Sequence, residues 1–107
     1  MTIALALEYI PRRMRELGFG NEYYLRFRHF VLSPGEMREE EGYNQFFILV
    51  EEPVDVSVNS EFGVFDLSLA NANEMSYEHQ GLIKIQNQSP GINHVRFIQV
   101  IPIHKSE

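Results

Sequence analysis

Cysteine is absent from the 107 residues, so the chain has no disulfide, no thiolate metal site and no cysteine nucleophile. No apolar run is longer than residues 46–50, far below the roughly 20 residues that cross a bilayer. The sequence also lacks G-x-G-x-x-G, a P-loop and a G-x-S-x-G elbow. These absences remove the enzyme classes that a linear motif identifies, and we expect the chain not to be an enzyme.

Basic side chains are also few, and the formal charge of −6 makes nucleic acid and anionic membrane poor partners for the surface as a whole. The acidity is concentrated in residues 36–78, where eleven acidic side chains face one basic side chain. Residues 1–35 carry five basic against three acidic side chains, and residues 79–107 carry three against one. The acidic middle can therefore be neutralised by the flanks of its own chain or by those of a neighbouring copy.

The N-terminal segment, residues 1–20, contains a short helix in our interpretation. Ile10, Met14 and Leu17 form an apolar stripe at helical spacing, which predicts a helix over residues 11–17. Gly18 suits the left-handed position after that helix, and Phe19 can pack back on it. Residues 2–9 fit either an alternating strand or an extension of the helix, and this choice stays open.

From residue 22 onward the pattern is that of short strands separated by turns. We predict strands over residues 22–32, 43–51, 54–58, 64–69, 82–87 and 94–103. Two Ser-Pro-Gly tripeptides, at residues 33–35 and 89–91, indicate type II turns. Residues 36–42 are predicted to be a charged loop or hairpin tip, and residues 70–80 an extended loop. Residues 46–50 are apolar on both faces, which predicts a central strand.

This pattern predicts a single, mainly β domain over residues 1–107, with antiparallel sheets over residues 22–103. We expect a sandwich of jelly-roll or immunoglobulin-like type, or a small barrel, with six to seven strands and the short N-terminal helix.

Four side chains on one face of the first strand form the most suggestive pattern: Tyr24, Arg26, Arg28 and Phe30. A sheet face that mixes aromatic rings with arginine is typical of single-strand nucleic-acid platforms. Two other interpretations compete with this one. The arginines can reach across strands to the acidic middle of the same chain, or they can recognise an acidic protein surface.

The histidines give little support for a metal site, and we expect no metal and no cofactor. No two of His29, His79, His94 and His104 have the spacing that brings metal ligands together on one strand or helix. Glu78 and His79 are neighbours on a predicted extended segment, so they face opposite sides and cannot cooperate directly. As an alternative, a ligand-binding or enzymatic barrel could use polar residues around His79, His94 and Gln99 at its mouth.

The segregated charge and the missing motifs favour a non-enzymatic structural or interaction domain that acts as a subunit of a larger assembly. An accessory or decoration protein of a phage particle is one such class. The expected partners are proteins, including other copies of the chain, and not membranes or nucleic acid. Because the N-terminus lacks a secretory signal pattern, we expect a cytoplasmic or virion location. The candidate interaction residues are Arg12, Arg13, Arg15, Tyr24, Arg26, Arg28, Phe30, Glu39, Glu40 and Glu41.

Overall fold

The computed structural model describes residues 2–50, 55–61 and 77–103. In these ranges one helix precedes five strands: α1 (Ile3–Glu16), β1 (Tyr23–Leu32), β2 (Met37–Val50), β3 (Val56–Ser60), β4 (Glu78–Asn87) and β5 (Asn93–Pro102). The strands form one antiparallel sheet in the order β1-β5-β2-β4-β3. The prediction of a mainly β, antiparallel chain with a short N-terminal helix is confirmed.

Five of the six predicted strands have a counterpart in the described residues, and these five strands form one sheet that is not a closed barrel. The predicted strand over residues 64–69, Val54 and His104 lie outside the described residues.

Helix α1 begins eight residues earlier than predicted, so the open choice for residues 2–9 is decided in favour of helix. The Thr2 hydroxyl caps it by accepting a hydrogen bond from the Leu5 amide at 3.2 Å. Pro11 lies inside the helix and cannot donate a backbone hydrogen bond there. Burial of a stripe at helical spacing outweighs this loss. The stripe consists of Ala6, Tyr9, Ile10 and Met14.

The end of α1 is confirmed. Gly18 has φ +76°, and the Phe19 amide donates to the Met14 carbonyl at 2.9 Å. The Gly18 amide donates to the Arg15 carbonyl at 3.1 Å. These two bonds form the Schellman arrangement that the glycine predicts.

The sheet bends sharply where Gly42 of β2 faces Gly81 of β4. The pairing register of the two strands shifts between Gly42 and Phe47, and Gly81 has φ +77°. A Cβ atom on Gly42 would lie 3.1 Å from the Gly81 carbonyl oxygen, which leaves little room for a side chain at this corner.

Contacts between strands that are not neighbours show how far the sheet folds back. Arg28 of β1 donates to the Glu40 carboxylate of β2 at 3.0 Å. On a straight strand, Glu40 would lie about 20 Å beyond Phe46, which is where β2 pairs with β5. The first half of β2 therefore turns back over β1 and β5, and the sheet acquires a concave inner face and a convex outer face.

Two apolar clusters hold this bent sheet. On the outer face α1 packs against alternate residues of β2 and β5, which are Phe46, Ile48, Val50, Ile98 and Val100. On the inner face, both halves of the sheet pack against each other through Phe30, Leu32, Phe47, Leu49, Ile83, Ile85, Val95 and Phe97. Residues 46–50 therefore contribute to both clusters, and the prediction of a doubly covered central strand is confirmed.

Three predicted loops and turns are wrong within the described residues. Residues 37–42 are strand rather than loop, because one face is exposed and accommodates charge while the other covers the inner cluster. β4 begins at Glu78, inside the predicted loop. Gly91 does not have a positive φ, so residues 89–91 do not form a type II turn. The turn at residues 33–35 is confirmed: Gly35 has φ +76°, and the Glu36 amide donates to the Ser33 carbonyl at 3.0 Å.

Candidate interaction surface

The carboxylate of Glu78 is buried between α1 and the sheet, with the residue 5% exposed. It accepts hydrogen bonds from the Tyr9 hydroxyl at 2.7 Å and from Arg13 Nε and Nη2 at 2.6 and 2.9 Å. Burial and the neighbouring carboxylate raise the pKa of Tyr9, and the hydrogen bond to Glu78 raises the pKa of Arg13. Tyr9 therefore stays neutral and Arg13 stays charged at neutral pH, which suits a structural contact and not proton transfer.

His79 faces the other side of the sheet from Glu78, as predicted. Its Nδ1 atom lies 2.9 Å from the Ser60 hydroxyl, an arrangement that also occurs in serine nucleophiles. Burial lowers the pKa of His79 to about 4. An imidazole with so low a pKa is a weak base at neutral pH, so this pair is poorly suited to activating the hydroxyl.

The low pKa of His79 predicts a loss of stability in mild acid. The unfolded chain binds the proton at about pH 6.5 and the folded chain only at about pH 4, so stability is lost as the pH falls through this window. Between pH 7 and pH 4, we expect the free energy of unfolding of His79→Gln to fall by about 3 kcal/mol less than that of the unmodified chain. Urea unfolding at a series of pH values measures this difference. Ser60→Ala is the control that keeps the imidazole and its pH slope. An unchanged slope in His79→Gln would contradict the assignment.

The aromatic and arginine face of β1 is mostly engaged within the chain. Arg28 donates to Gln99 at 3.1 Å as well as to Glu40, and its guanidinium lies 5.2 Å from the centre of the Phe30 ring. Phe30 is 4% exposed, so no base can stack on it. Tyr24 and Arg26 remain exposed. The interpretation that arginine reaches across strands to the acidic middle is confirmed for Arg28.

The other candidate residues divide into engaged and exposed groups. Arg13 is held by Glu78, and both Arg12 and Arg13 also contact Glu16 on the helix surface at 3.6 and 3.2 Å. Arg15 is exposed on the same helix. In the acidic run, Glu40 pairs with Arg28, whereas Glu39 and Glu41 point to the outer face and are exposed.

An open pocket of about 190 Å³ lies on the outer face beside the start of α1. Its open surface is almost wholly apolar and is formed by Ile3, Phe27 and Val50 together with carbon atoms of His29 and Arg96. Ile3 is 48% and Phe27 65% exposed, so much of this apolar surface is open to solvent. Leu7 and Val31, on the same two elements, are also about half exposed. We call this surface the outer pocket.

His29 and His94 meet at the edge of the outer pocket. The Nε2 atom of His29 lies 2.8 Å from Nδ1 of His94, and the ring centres are 5.0 Å apart, so the rings meet end to end. One nitrogen must donate and the other accept, so at least one ring is neutral. Sequence spacing missed this pair because the β1–β5 register creates it, with Val31 opposite His94 and Arg96 opposite His29.

The alternative mouth of His79, His94 and Gln99 is not assembled by this fold. His79 and Gln99 both lie opposite Phe47 and face inward, whereas His94 faces outward. Within residues 2–50, 55–61 and 77–103, no group of three His, Cys, Asp or Glu side chains is arranged to hold a metal ion.

Comparisons of the chain with protein-family models, with curated proteins and with solved structures find no match. In the described part of the chain, no helix is long and apolar enough to cross a membrane. By its fold and surface, the described part of the chain is a bent antiparallel sheet with one packed helix and an exposed apolar pocket.

Proposed function

We propose that the chain is a non-enzymatic interaction domain that acts as one copy in a larger assembly. One contrast carries the proposal. The groups best able to do chemistry, Glu78 and His79, are buried in structural contacts, whereas Ile3 and Phe27 expose large apolar surfaces. Exposed apolar patches with a polar rim are typical of protein contact sites.

The finer form of the proposal is an accessory or decoration subunit of a phage particle, in the cytoplasm before assembly and in the virion after it. The small size of the chain, its lack of cysteine and its exposed apolar pocket support this form. For the architecture we propose a jelly-roll or immunoglobulin-like sandwich. The packing of the two halves of the bent sheet through their inner faces supports it.

The two alternative functions have less support. For a ligand-binding or enzymatic barrel, the pair best placed for chemistry among the described residues is Ser60 and His79, whose imidazole is a weak base. A single-strand nucleic-acid module would depend on Tyr24 and Arg26, because Arg28 and Phe30 are engaged within the chain. Oligonucleotide binding at low salt that Arg26→Ala abolishes would favour the second alternative over an assembly subunit.

The assembly proposal predicts association that depends on the outer pocket. Sedimentation velocity over a range of concentrations is expected to show species larger than the monomer. Phe27→Asp is expected to shift the association midpoint at least 10-fold to higher concentration, because it places a charge in an apolar contact. Tyr24→Asp is the matched control, since Tyr24 is exposed to a similar degree on the other face of β1. A chain that remains monomeric at every concentration, alone or with a candidate particle, would overturn the proposal.

A further inference from the structure

We infer that the free edge of β1 binds an extended, acidic segment of a partner protein as an additional antiparallel strand of the sheet. This inference goes beyond the proposed function, because it concerns the edge of the sheet and not the outer pocket. It does not require the chain to associate with itself, so its test and the test of the assembly proposal can fail separately. The backbone identifies an extended chain as the occupant, and the charges identify the chemistry of that chain.

The backbone of β1 has hydrogen-bonding groups on two sides, and β5 is the only strand of the described ranges that pairs with it. The Ile103 amide donates to the Glu22 carbonyl at 2.9 Å, in register with the β1–β5 pairing. Because hydrogen-bonded and non-hydrogen-bonded pairs alternate along an antiparallel ladder, the even-numbered residues of β1 direct their N–H and C=O groups to β5. The odd-numbered residues, from Tyr23 to Val31, direct theirs to the free edge. The edge therefore offers donors and acceptors to an extended chain at intervals of about 7 Å.

β1 also lacks most of the features that protect an edge strand from pairing. Its ten residues pair with β5 without a register shift, and they include no proline and no lysine. Tyr24, Phe27 and Val31 leave large side chains exposed along it. Natural sheets usually shorten, bend or charge such an edge, because it would otherwise pair with another chain. β3, at the other end of the strand order, has only five residues, so β1 is the better site for strand addition.

The charges of β1 favour an acidic occupant over a second copy of β1. The strand contains Arg26 and Arg28 and no carboxylate. Arg28 is bound by Glu40, whereas Arg26 is exposed and has no ion pair within the described ranges. Two copies of β1 paired about Phe27 would place Arg26 of each copy opposite Arg28 of the other, which opposes like charges. A carboxylate opposite Arg26 forms an opposite-charge pair instead.

An added strand would approach Arg26 closely. Because Arg26 directs its backbone groups to β5, its opposite residue on an added strand belongs to a non-hydrogen-bonded pair, in which the Cα atoms are about 4.5 Å apart. Tyr24 and Arg26 share the inner face of the strand, and Leu25 and Phe27 share the outer face. An alternation of acidic and apolar residues therefore fits the edge, with the acidic side chains opposite Arg26 and the apolar side chains beside Phe27.

Binding of two short synthetic peptides to the full chain, measured by fluorescence anisotropy, tests the inference. Valine and glutamate alternate in the first peptide, and lysine replaces glutamate in the second. The unmodified chain is expected to bind the glutamate peptide saturably and about 5-fold more tightly than the lysine peptide. Arg26→Glu is expected to reverse this preference. Equal binding of the two peptides, or no saturable binding of the glutamate peptide, would overturn the inference.

Backbone methylation distinguishes strand addition from a simple attraction of charges. A glutamate opposite Arg26 directs its N–H group away from β1, so the valine N–H groups point toward β1. N-methylation of the valines is therefore expected to abolish binding, whereas N-methylation of the glutamates is expected to weaken it by less than about 3-fold. If the peptide with methylated valines binds as tightly as the unmethylated peptide, strand addition is wrong.

Two variants of Phe27 test the same contact from the side of the chain. Phe27→Pro removes one N–H group of the free edge and keeps the ladder to β5, whereas Phe27→Ala removes the side chain and keeps the N–H group. We expect Phe27→Pro to bind the glutamate peptide at least 10-fold more weakly than Phe27→Ala does. Circular dichroism reports folding, and if Phe27→Pro does not fold, the methylated peptides still decide the question on the unmodified chain. If the peptides do not bind and Phe27→Pro abolishes a self-association that Phe27→Ala retains, the occupant is a second copy and the inference is wrong.

Discussion

Replacing Glu78 by alanine is expected to lower the free energy of unfolding by about 4 kcal/mol. The substitution leaves Arg13 without its carboxylate partner and the Tyr9 hydroxyl without its acceptor, both next to the buried face of α1. An uncompensated charge next to a buried helix face lowers the free energy of unfolding by more than the intact ion pair adds to it. Because the Arg13 side chain is still 18% exposed, water can partly hydrate its charge. We therefore expect a smaller loss in the free energy of unfolding than for a fully buried, uncompensated charge. Urea unfolding at neutral pH measures the effect.

Two further variants separate burial from charge. Glu16 pairs with Arg12 and Arg13 on the exposed side of the helix, so Glu16→Ala is expected to cost less than about 1 kcal/mol. The double variant Arg13→Met with Glu78→Leu removes both charges and is expected to recover a large part of the stability lost in Glu78→Ala. Similar losses for Glu16→Ala and Glu78→Ala would show that the buried tie has no special role.

Replacing Asn87 by alanine is expected to cost about 3 kcal/mol, because its fully buried amide ties the backbone of residues 32–33 to the loop at residues 89–91. The two N–H groups of Nδ2 reach three carbonyls, those of Leu32 and Ser33 at 3.1 Å each and that of Gly91 at 2.8 Å, so one N–H is shared between two acceptors. The Oδ1 atom accepts from the Ser89 amide at 3.0 Å. Alanine removes the hydrogen bonds to the Leu32 carbonyl and from the Ser89 amide, whereas the Ser33 and Gly91 carbonyls keep the Glu36 amide and the Ser89 hydroxyl as donors.

Asn87→Asp tests whether hydrogen-bond donation or size is responsible. Aspartate has nearly the same volume, but its carboxylate would face carbonyl oxygens where the amide had donated. We expect it to destabilise the protein at least as much as alanine when measured by thermal unfolding at neutral pH. A mild effect of Asn87→Asp would mean that packing, and not donation, holds the Asn87 side chain in place.

Asn87 also explains why one of two identical tripeptides was predicted wrongly. Residues 33–35 form the turn that Ser-Pro-Gly predicts, with Gly35 at φ +76°. At residues 89–91 the buried amide of Asn87 binds the Gly91 carbonyl directly and holds the loop in another conformation. A local pattern predicts a turn only when no distant group supplies stronger hydrogen bonds to the same backbone.

The acidic run shows a similar limit for charge patterns. A dense run of glutamates predicts a solvated loop, yet Glu39, Glu40 and Glu41 lie on a strand. Inward and outward side chains alternate along this strand, so Glu40 pairs with Arg28 of β1 while Glu39 and Glu41 face solvent. The partner arginine is twelve residues away and reaches Glu40 only because the sheet bends at Gly42, which no local spacing indicates.

The sequence by itself determined the features that depend on neighbours along the chain. These are the β-rich class, the doubly buried residues 46–50, the shared face of Tyr24 and Phe30, and the helix end at Gly18. Each follows from side-chain periodicity or from the φ preference of a single residue, and both act locally.

Only the tertiary structure decided the start of α1, the bend at Gly42 and Gly81, and the contact of His29 with His94. The tertiary structure also decided that Arg13 and Arg28 are engaged within the chain. These features depend on strand register and on burial against distant segments, where packing and hydrogen bonds between remote residues outweigh local preference.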